Sequence, residues 1–161
     1  MSSSLRPVSA DDEEFLLRVY ASTRTEEMAL VPWNEEQKQT FLRMQFDAQR
    51  ASYQQQFPEA EYHVILHDGL PAGRLIVERS AENILLIDIA LLPAFRNLGI
   101  GSKLIGDLKA EAQQTGKPLW LDVESFSPVF EFYQRLGFKK IDQAGFYFRM
   151  EWRPAENATT A

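Results

Sequence analysis

The spacing of apolar residues changes several times along this chain, and each change marks a different element. Residues 5–8 read as a short strand, after which Ser9 or Asp11 can cap a helix whose Phe15, Leu16, Val19 and Tyr20 share one face. The pattern lapses between Ser22 and Trp33, and then Asn34 followed by Gln37 has the form of a capping box opening a long helix to about Phe57. Phe41, Met44, Ala48 and Ala51 give that helix one face, which Leu42, Phe46, Tyr53 and Phe57 broaden.

From Tyr62 the period becomes two. Tyr62, Val64 and Leu66 alternate with His63, Ile65 and His67, and Asp68-Gly69 is a hairpin signal leading into a strand over 73–79. A turn at 81–83 precedes ILLIDIALLP, an apolar run that reads as a mid-sheet strand buried on both faces and ended by Pro93. Ile100, Leu104, Leu108 and Ala112 then recur every fourth residue in a helix that Gly116 and Pro118 stop. LWLDVE alternates as a strand, a second helix covers 127–136 up to Gly137, and strands over 138–141 and 146–152 flank a turn at Ala144-Gly145. The order predicts an α/β chain of mixed type, with one mixed sheet and helices on both faces.

A length of 161 residues fits one domain, placed at 4–153, with a small polar tail over 154–161 that carries an Asn157-Ala158-Thr159 sequon. A net charge of −6, with no dense Lys/Arg block, argues against nucleic acid as a partner. With no Cys, disulfides, a thiolate nucleophile and Cys-based zinc sites are excluded. His63 and His67 would lie about 13 Å apart along a strand, too far to share a metal, so they are expected on a solvated face and no metal site is expected. No secretory signal pattern opens the chain and no apolar stretch approaches ~18 residues, so no membrane is expected and the cytoplasm is the expected location.

The candidate chemistry sits in LLPAFRNLGIGSKLI, between the apolar strand and the helix. Glycines at 99 and 101 let a backbone approach a ligand closely, and exposed amides at a helix start suit a pyrophosphate. A dinucleotide fingerprint would need Gly where Leu104 stands, and a P-loop would need Gly-Lys-Ser/Thr where the chain has Gly101-Ser102-Lys103. RNLGIG instead fits Arg/Gln-x-x-Gly-x-Gly/Ala, and SPVFEFYQRLGF downstream supplies an aromatic-Tyr helix followed by Leu-Gly-Phe. With both motifs at this separation, the chain resembles the GNAT acetyltransferases over roughly residues 5–152.

The resemblance implies a mostly antiparallel sheet of six to seven strands with about four helices, splayed between the fourth and fifth strands. It implies acetyl-coenzyme A as co-substrate, with the backbone of Ala90, Leu91 and Leu92 bonding pantetheine. Arg96, Asn97, Leu98, Gly99, Ile100 and Gly101 would surround the pyrophosphate, chiefly through amides. Tyr133 corresponds to the family's tyrosine near the coenzyme A sulfur, where it can protonate the thiolate; packing among Phe130, Phe132 and Phe138 is the competing role. Many relatives have Asn-Pro before this helix. Here Ser127-Pro128 keeps a capping hydroxyl but loses the amide that could hold the cofactor.

An attacking amine of pKa ~10.4 needs a base, for which Glu124 and Asp88 are the candidates; Asp88, alone in an apolar run, equally suits a structural hydrogen-bond network. The resemblance also implies that acceptor recognition falls to the segment between the first two helices, with Glu26 and Glu27 for a cation and Trp33 to stack on it. The expected function is acetyl transfer to a primary amine on a small molecule or a protein, by a monomer or homodimer. The alternative is an acyl-coenzyme A-binding sensor of the same fold with weak turnover, to which Ser127 and the uncertain base lend support.

Overall fold

The computed structural model describes residues 2–155; most of the expected tail, with its sequon, lies outside them. Strand β1 (Ser3–Pro7) pairs antiparallel with β2 (Glu61–His67), Leu5 opposite Ile65. Asp68 and Gly69 turn the chain with φ of 50° and 81°, both left-handed as a two-residue hairpin requires, into β3 (Leu70–Arg79). Ser80 and Asn83 close the next turn by a 3.0 Å backbone bond, and β4 (Ile84–Leu91) follows.

The remaining strands are β5 (Leu119–Glu124), β6 (Lys139–Ala144) and β7 (Tyr147–Trp152), and the seven form a sheet in the order β1-β2-β3-β4-β5-β7-β6. Only β4 and β5 are parallel among the described pairings; their ladder runs from Ile84 opposite Leu119 to Leu86 opposite Leu121, while β4 continues to Leu91 and β5 to Glu124.

Among the described residues there are five α-helices: α1 (Glu13–Ser22), α2 (Thr25–Ala29), α3 (Glu35–Gln56), α4 (Ile100–Thr115) and α5 (Val129–Arg135). The additional one is α2, which has five residues and buries none, too short to impose a period on the sequence. Asn34 and Gln37 cap α3 reciprocally, the Gln37 N–H donating to Asn34 Oδ1 at 2.8 Å and the Asn34 N–H to Gln37 Oε1 at 3.0 Å. The face that α3 buries is centred on Phe46, whereas Met44, Ala48 and Ala51 are exposed, so the expected primary face is corrected to the broadening one.

The chain divides into two compact units, Met1–Ile76 with Asp88–Ile100 and Val77–Ile87 with Gly101–Ala161. In the first, Val19, Tyr20, Phe46, Val64, Ile65 and Leu75 form the core, with the Tyr20 and Phe46 rings 5.9 Å apart. Arg6 grips Asp12 by two 2.8 Å bonds ahead of α1, and the Ser9 N–H donates to the same carboxylate. Those bonds, Arg6 foremost, hold the Asp12 carboxyl well below its usual range. In the second unit, Leu104, Ile105, Leu108 and Ala112 of α4 are buried, as are Leu119, Leu121 and Val123 of β5 and Met150 of β7. The fourfold spacing along α4 and the alternation along β5 thus have one cause, the burial of a single face of each.

Candidate functional site

The strand β4 changes character along its length. Ile84–Leu86 are buried, but Ile87 to Leu91 are only half-buried, so the expectation of burial on both faces holds for the first half alone. A 3-10 turn over Pro93–Phe95 follows, in which the Phe95 N–H donates to the Leu92 carbonyl at 2.9 Å.

The next residues turn sharply. Asn97 and Gly99 adopt left-handed φ of 61° and 82° immediately before α4. Left-handed residues interleaved with ordinary ones gather successive N–H groups toward one side, the concave arrangement that receives anions. The first N–H groups of α4 have no carbonyl within their own helix, and the helix dipole adds partial positive charge there. Ile100 anchors the turn with 2% exposure while Leu98 is half exposed, so apolar packing fixes only one of these two side chains.

The Arg96 side chain has partners within the protein. Its Nε donates to the Leu91 carbonyl at 2.9 Å, and its Nη2 reaches the Ser22 carbonyl at 3.3 Å and Oγ at 3.4 Å. The guanidinium therefore ties the loop to the ends of β4 and α1. The Leu92 N–H donates to Ala72 at 2.8 Å, so two of the backbone groups expected to meet pantetheine have partners within the protein.

Asp88 is engaged as well. Its Oδ2 accepts from Arg74 Nε at 2.5 Å, and Arg74, with 8% of its side chain exposed, also donates to Gln49 Oε1 at 2.8 Å. This is the structural network that competed with a catalytic role for Asp88. Sequence reading missed Arg74, although opposite charges embedded in two apolar strands joined by a short turn are a signal for such a pair.

The acceptor candidates lie on α2 and beyond. Glu26 and Glu27 are exposed, and Glu27 pairs with Arg24 at 3.2 Å. Trp33, 39% exposed, meets the Phe41 ring edge-on at 5.2 Å. His67 departs from expectation: it is buried and its ring packs edge-on against Phe95 at 6.0 Å, while His63 is half-buried beside Glu61. Burial of the inward face of β2 sets this, since Ile65 shares it.

In the second unit, Tyr133 lies half-buried on α5, its ring edge-on to Phe138 at 5.6 Å and tilted against Phe132 at 5.4 Å. Phe130 instead meets Phe148 at 5.2 Å, so the expected aromatic cluster divides in two. Ser127 Oγ accepts from the Val129 N–H at 3.3 Å, but Pro128 stands at the N-cap of α5 without a side-chain capping bond. Lys109 donates to the Leu136 carbonyl beneath the rings of Phe138 and Trp152, and burial lowers its pKa.

Glu124 ends a cross-strand series on one face of β5 and β7. Trp120 opposes Glu151 and donates to it at 2.8 Å; Asp122 opposes Arg149 and accepts at 2.5 and 3.0 Å. Glu124 opposes Tyr147 and has no cationic partner among the described residues. Among those residues no group of three acidic, His or Cys side chains could hold a metal ion, and no helix is long and apolar enough to cross a membrane.

Residues 58–140 match the family model described as an acetyltransferase (GNAT) domain. A [ribosomal protein bS18]-alanine N-acetyltransferase of Haemophilus influenzae is 29% identical over 87 residues, 53% of this chain and 60% of that protein, so the alignment spans less than two thirds of the relative. The fold resembles a PaiA N-acetyltransferase from Thermoplasma acidophilum in complex with coenzyme A, with a TM-score of 0.69 and 23% identity over 95% of this chain and 99% of that one. It also resembles the ribosomal-protein-S18-alanine N-acetyltransferase of Escherichia coli, with a TM-score of 0.64 and 18% identity over 99% of each.

Proposed function

Because the chain belongs to the GNAT acetyltransferase family, we propose that residues 4–153 act as one domain that takes an acetyl group from acetyl-coenzyme A and passes it to a primary amine on a small molecule or a protein. The observation that carries this is the turn with left-handed Asn97 and Gly99 at the head of α4, a geometry suited to a pyrophosphate and reached from a half-open strand end. The amides of Asn97 to Gly101 bind the pyrophosphate in this proposal. Arg96 holds the loop in shape, and the backbone of Ala90, Leu91 and Leu92 meets pantetheine, exchanging the Arg96 bond at the Leu91 carbonyl where the two compete.

Transfer proceeds by direct attack. Glu124, through water, removes the proton that an ammonium of pKa ~10.4 carries at neutral pH. The amine nitrogen bonds to the thioester carbon, the tetrahedral adduct gives its second nitrogen proton to water, and its collapse breaks the carbon–sulfur bond. Tyr133 gives its hydroxyl proton to the departing thiolate, an exchange between groups of pKa ~10 and ~8.5. Asp88 is left to its structural pair with Arg74. Ser127 keeps its bond from the Val129 N–H, and its lack of an amide favours the second reading, a domain that binds the acyl-coenzyme A with weak turnover.

Two measurements test this. Calorimetry should show binding of coenzyme A in preference to ATP and NAD; absence of coenzyme A binding overturns the proposal. Free thiol should appear when acetyl-coenzyme A is mixed with an amine panel, and binding without thiol release favours the weak-turnover reading.

A further inference from the structure

Helix α5, which carries Tyr133, has seven residues and none of them is fully buried. Isolated helices this short are marginal in water, so its position depends on what holds its ends. Pro128 at its start makes no side-chain capping bond, whereas contacts crowd its end. The Phe138 N–H donates to the Tyr133 carbonyl at 3.0 Å and the Leu136 N–H to the same carbonyl at 3.1 Å, so the backbone folds back on the residue that bears the hydroxyl. Gly137 makes this turn with a left-handed φ of 95°, and it lies against Trp152, whose Cδ1 would be 3.3 Å from a Cβ placed there.

Lys109 reaches the same end from α4. Its Nζ donates to the Leu136 carbonyl, one of the last carbonyls that a helix leaves without an internal donor, and stands 5.8 Å from the centre of the Phe138 ring and 5.6 Å from that of Trp152. The negative end of the helix and the aromatic faces both favour a cation there. Burial works against the charge and lowers the Lys109 pKa. Arg135, exposed in the last turn of α5, offers the helix end a cation without that loss of hydration, so capping alone does not call for a lysine beneath the rings. What Lys109 adds is a fixed place for Phe138. That side chain is 2% exposed, its ring is edge-on to Tyr133 at 5.6 Å, and its own N–H holds the Tyr133 carbonyl.

We propose that Lys109 is a positioning residue for acetyl transfer: by clamping Leu136 and Phe138 it fixes the Tyr133 ring, and with it the direction in which the hydroxyl proton leaves. The proposal rests on the acetyl-transfer reading with Tyr133 as the acid. Lys109 acts through Tyr133 and gives up no proton itself.

The experiment uses the full chain. Lys109→Met keeps the unbranched stem and removes the ammonium; Lys109→Arg keeps the charge; Lys109→Gln, which keeps a donor, replaces Lys109→Met if a thermal melt shows that protein unfolded. Thiol release from acetyl-coenzyme A is followed with ethanolamine, phenethylamine and spermidine, in the parent and in the Tyr133→Phe background. Lys109→Met should lower kcat about 3- to 10-fold, below the ~10²-fold that a full ångström of displacement can cost, with KM for acetyl-coenzyme A unchanged, and Lys109→Arg should recover most of the loss. In the Tyr133→Phe background the same change should alter kcat by less than about twofold, because the hydroxyl it positions is gone. Growth with 3-fluorotyrosine labels all five tyrosines for fluorine NMR, and the line missing in Tyr133→Phe belongs to Tyr133. That line should shift or broaden in Lys109→Met while the others stay. Full kcat in Lys109→Met, an equal fall in both backgrounds, or an unmoved Tyr133 line overturns the proposal. If Tyr133→Phe turns over like the parent, or no amine releases thiol, the acid reading fails; a displaced Tyr133 line then upholds the clamp, and an unmoved one overturns it.

Discussion

Gly73 on β3 and Ala90 on β4 approach so closely that a Cβ on Gly73 would lie 2.1 Å from the Ala90 carbonyl oxygen and 3.0 Å from Leu91 Cα. The obstacle is backbone, which cannot swing aside as a side chain does. Gly73→Ala should therefore displace the end of β4, loosening the bond between the Leu92 N–H and Ala72, at a cost on the order of 1–3 kcal/mol. A thermal melt should show the loss of stability, and calorimetry a weaker coenzyme A affinity. Unchanged affinity in a folded Gly73→Ala protein would separate the path of β4 from cofactor binding.

Gly99 and Gly101 should respond differently to alanine. A Cβ at either meets no atom within 4 Å, but Gly99 alone has a left-handed φ, of 82°. Gly99→Ala should cost about 1–2 kcal/mol, whereas Gly101→Ala, inside α4, should be neutral or gain up to about 1 kcal/mol. Asp at position 101 should abolish coenzyme A binding in a folded protein, because its charge opposes the pyrophosphate. Calorimetry beside thermal melts reads both effects; full affinity in Gly101→Asp would reduce the loop to a simple turn.

Tyr133→Phe removes one hydroxyl and keeps the ring contacts with Phe132 and Phe138. Turnover should fall roughly 10- to 1000-fold, with coenzyme A affinity little changed. Since thiolate leaves tolerably unaided, the lower half of that range is expected. Equal turnover numbers across pH, with equal melting, would return Tyr133 to a packing role.

For Glu124→Gln the pH profile is the informative measurement. Loss of a general base should slow turnover about 10²- to 10⁴-fold near neutrality, and activity should recover as pH approaches the amine pKa of ~10.4, where free amine becomes abundant. An unaltered profile would place the base elsewhere. Asp88→Asn is the contrasting variant: it should lower the melting temperature by leaving buried Arg74 without its carboxylate.

The Arg6–Asp12 pair should make stability fall in acid. The folded-state pKa of Asp12 is depressed below its reference of 3.8, so its contribution is present above that pH and is lost as pH falls through the lower folded value. Arg6→Gln should melt below the parent protein at pH 7, and the difference should shrink as pH drops below about 4. A difference independent of pH would mean that Arg6 acts through packing.

Much of this architecture was legible because local chemistry and global fold agree. Asn34 and Gln37 located the start of α3, and Asp68-Gly69 located its hairpin, since each needs only neighbours in sequence. The buried face of α3 was not legible: Gln49 interrupts the line from Leu42 through Phe46 to Tyr53, and its amide is used by Arg74, a strand residue distant in sequence. The position of the cofactor loop followed from its glycines, whereas the left-handed turn at Asn97 and the side-chain bonds of Arg96 depend on Ser22 and Leu91. Likewise, the unpaired state of Glu124 appears only once β5 and β7 are in register.

Arg96 also bears on the speed with which a ligand is captured. A loop tethered by its own guanidinium to Leu91 and Ser22 has lost much of its freedom during folding, so little ordering entropy remains to oppose complex formation. Encounter should then require little more than exchange of the Arg96 bond at the Leu91 carbonyl, at an association rate around 10⁵–10⁷ M⁻¹s⁻¹. Differences in affinity among phosphorylated ligands would consequently arise from how long each stays.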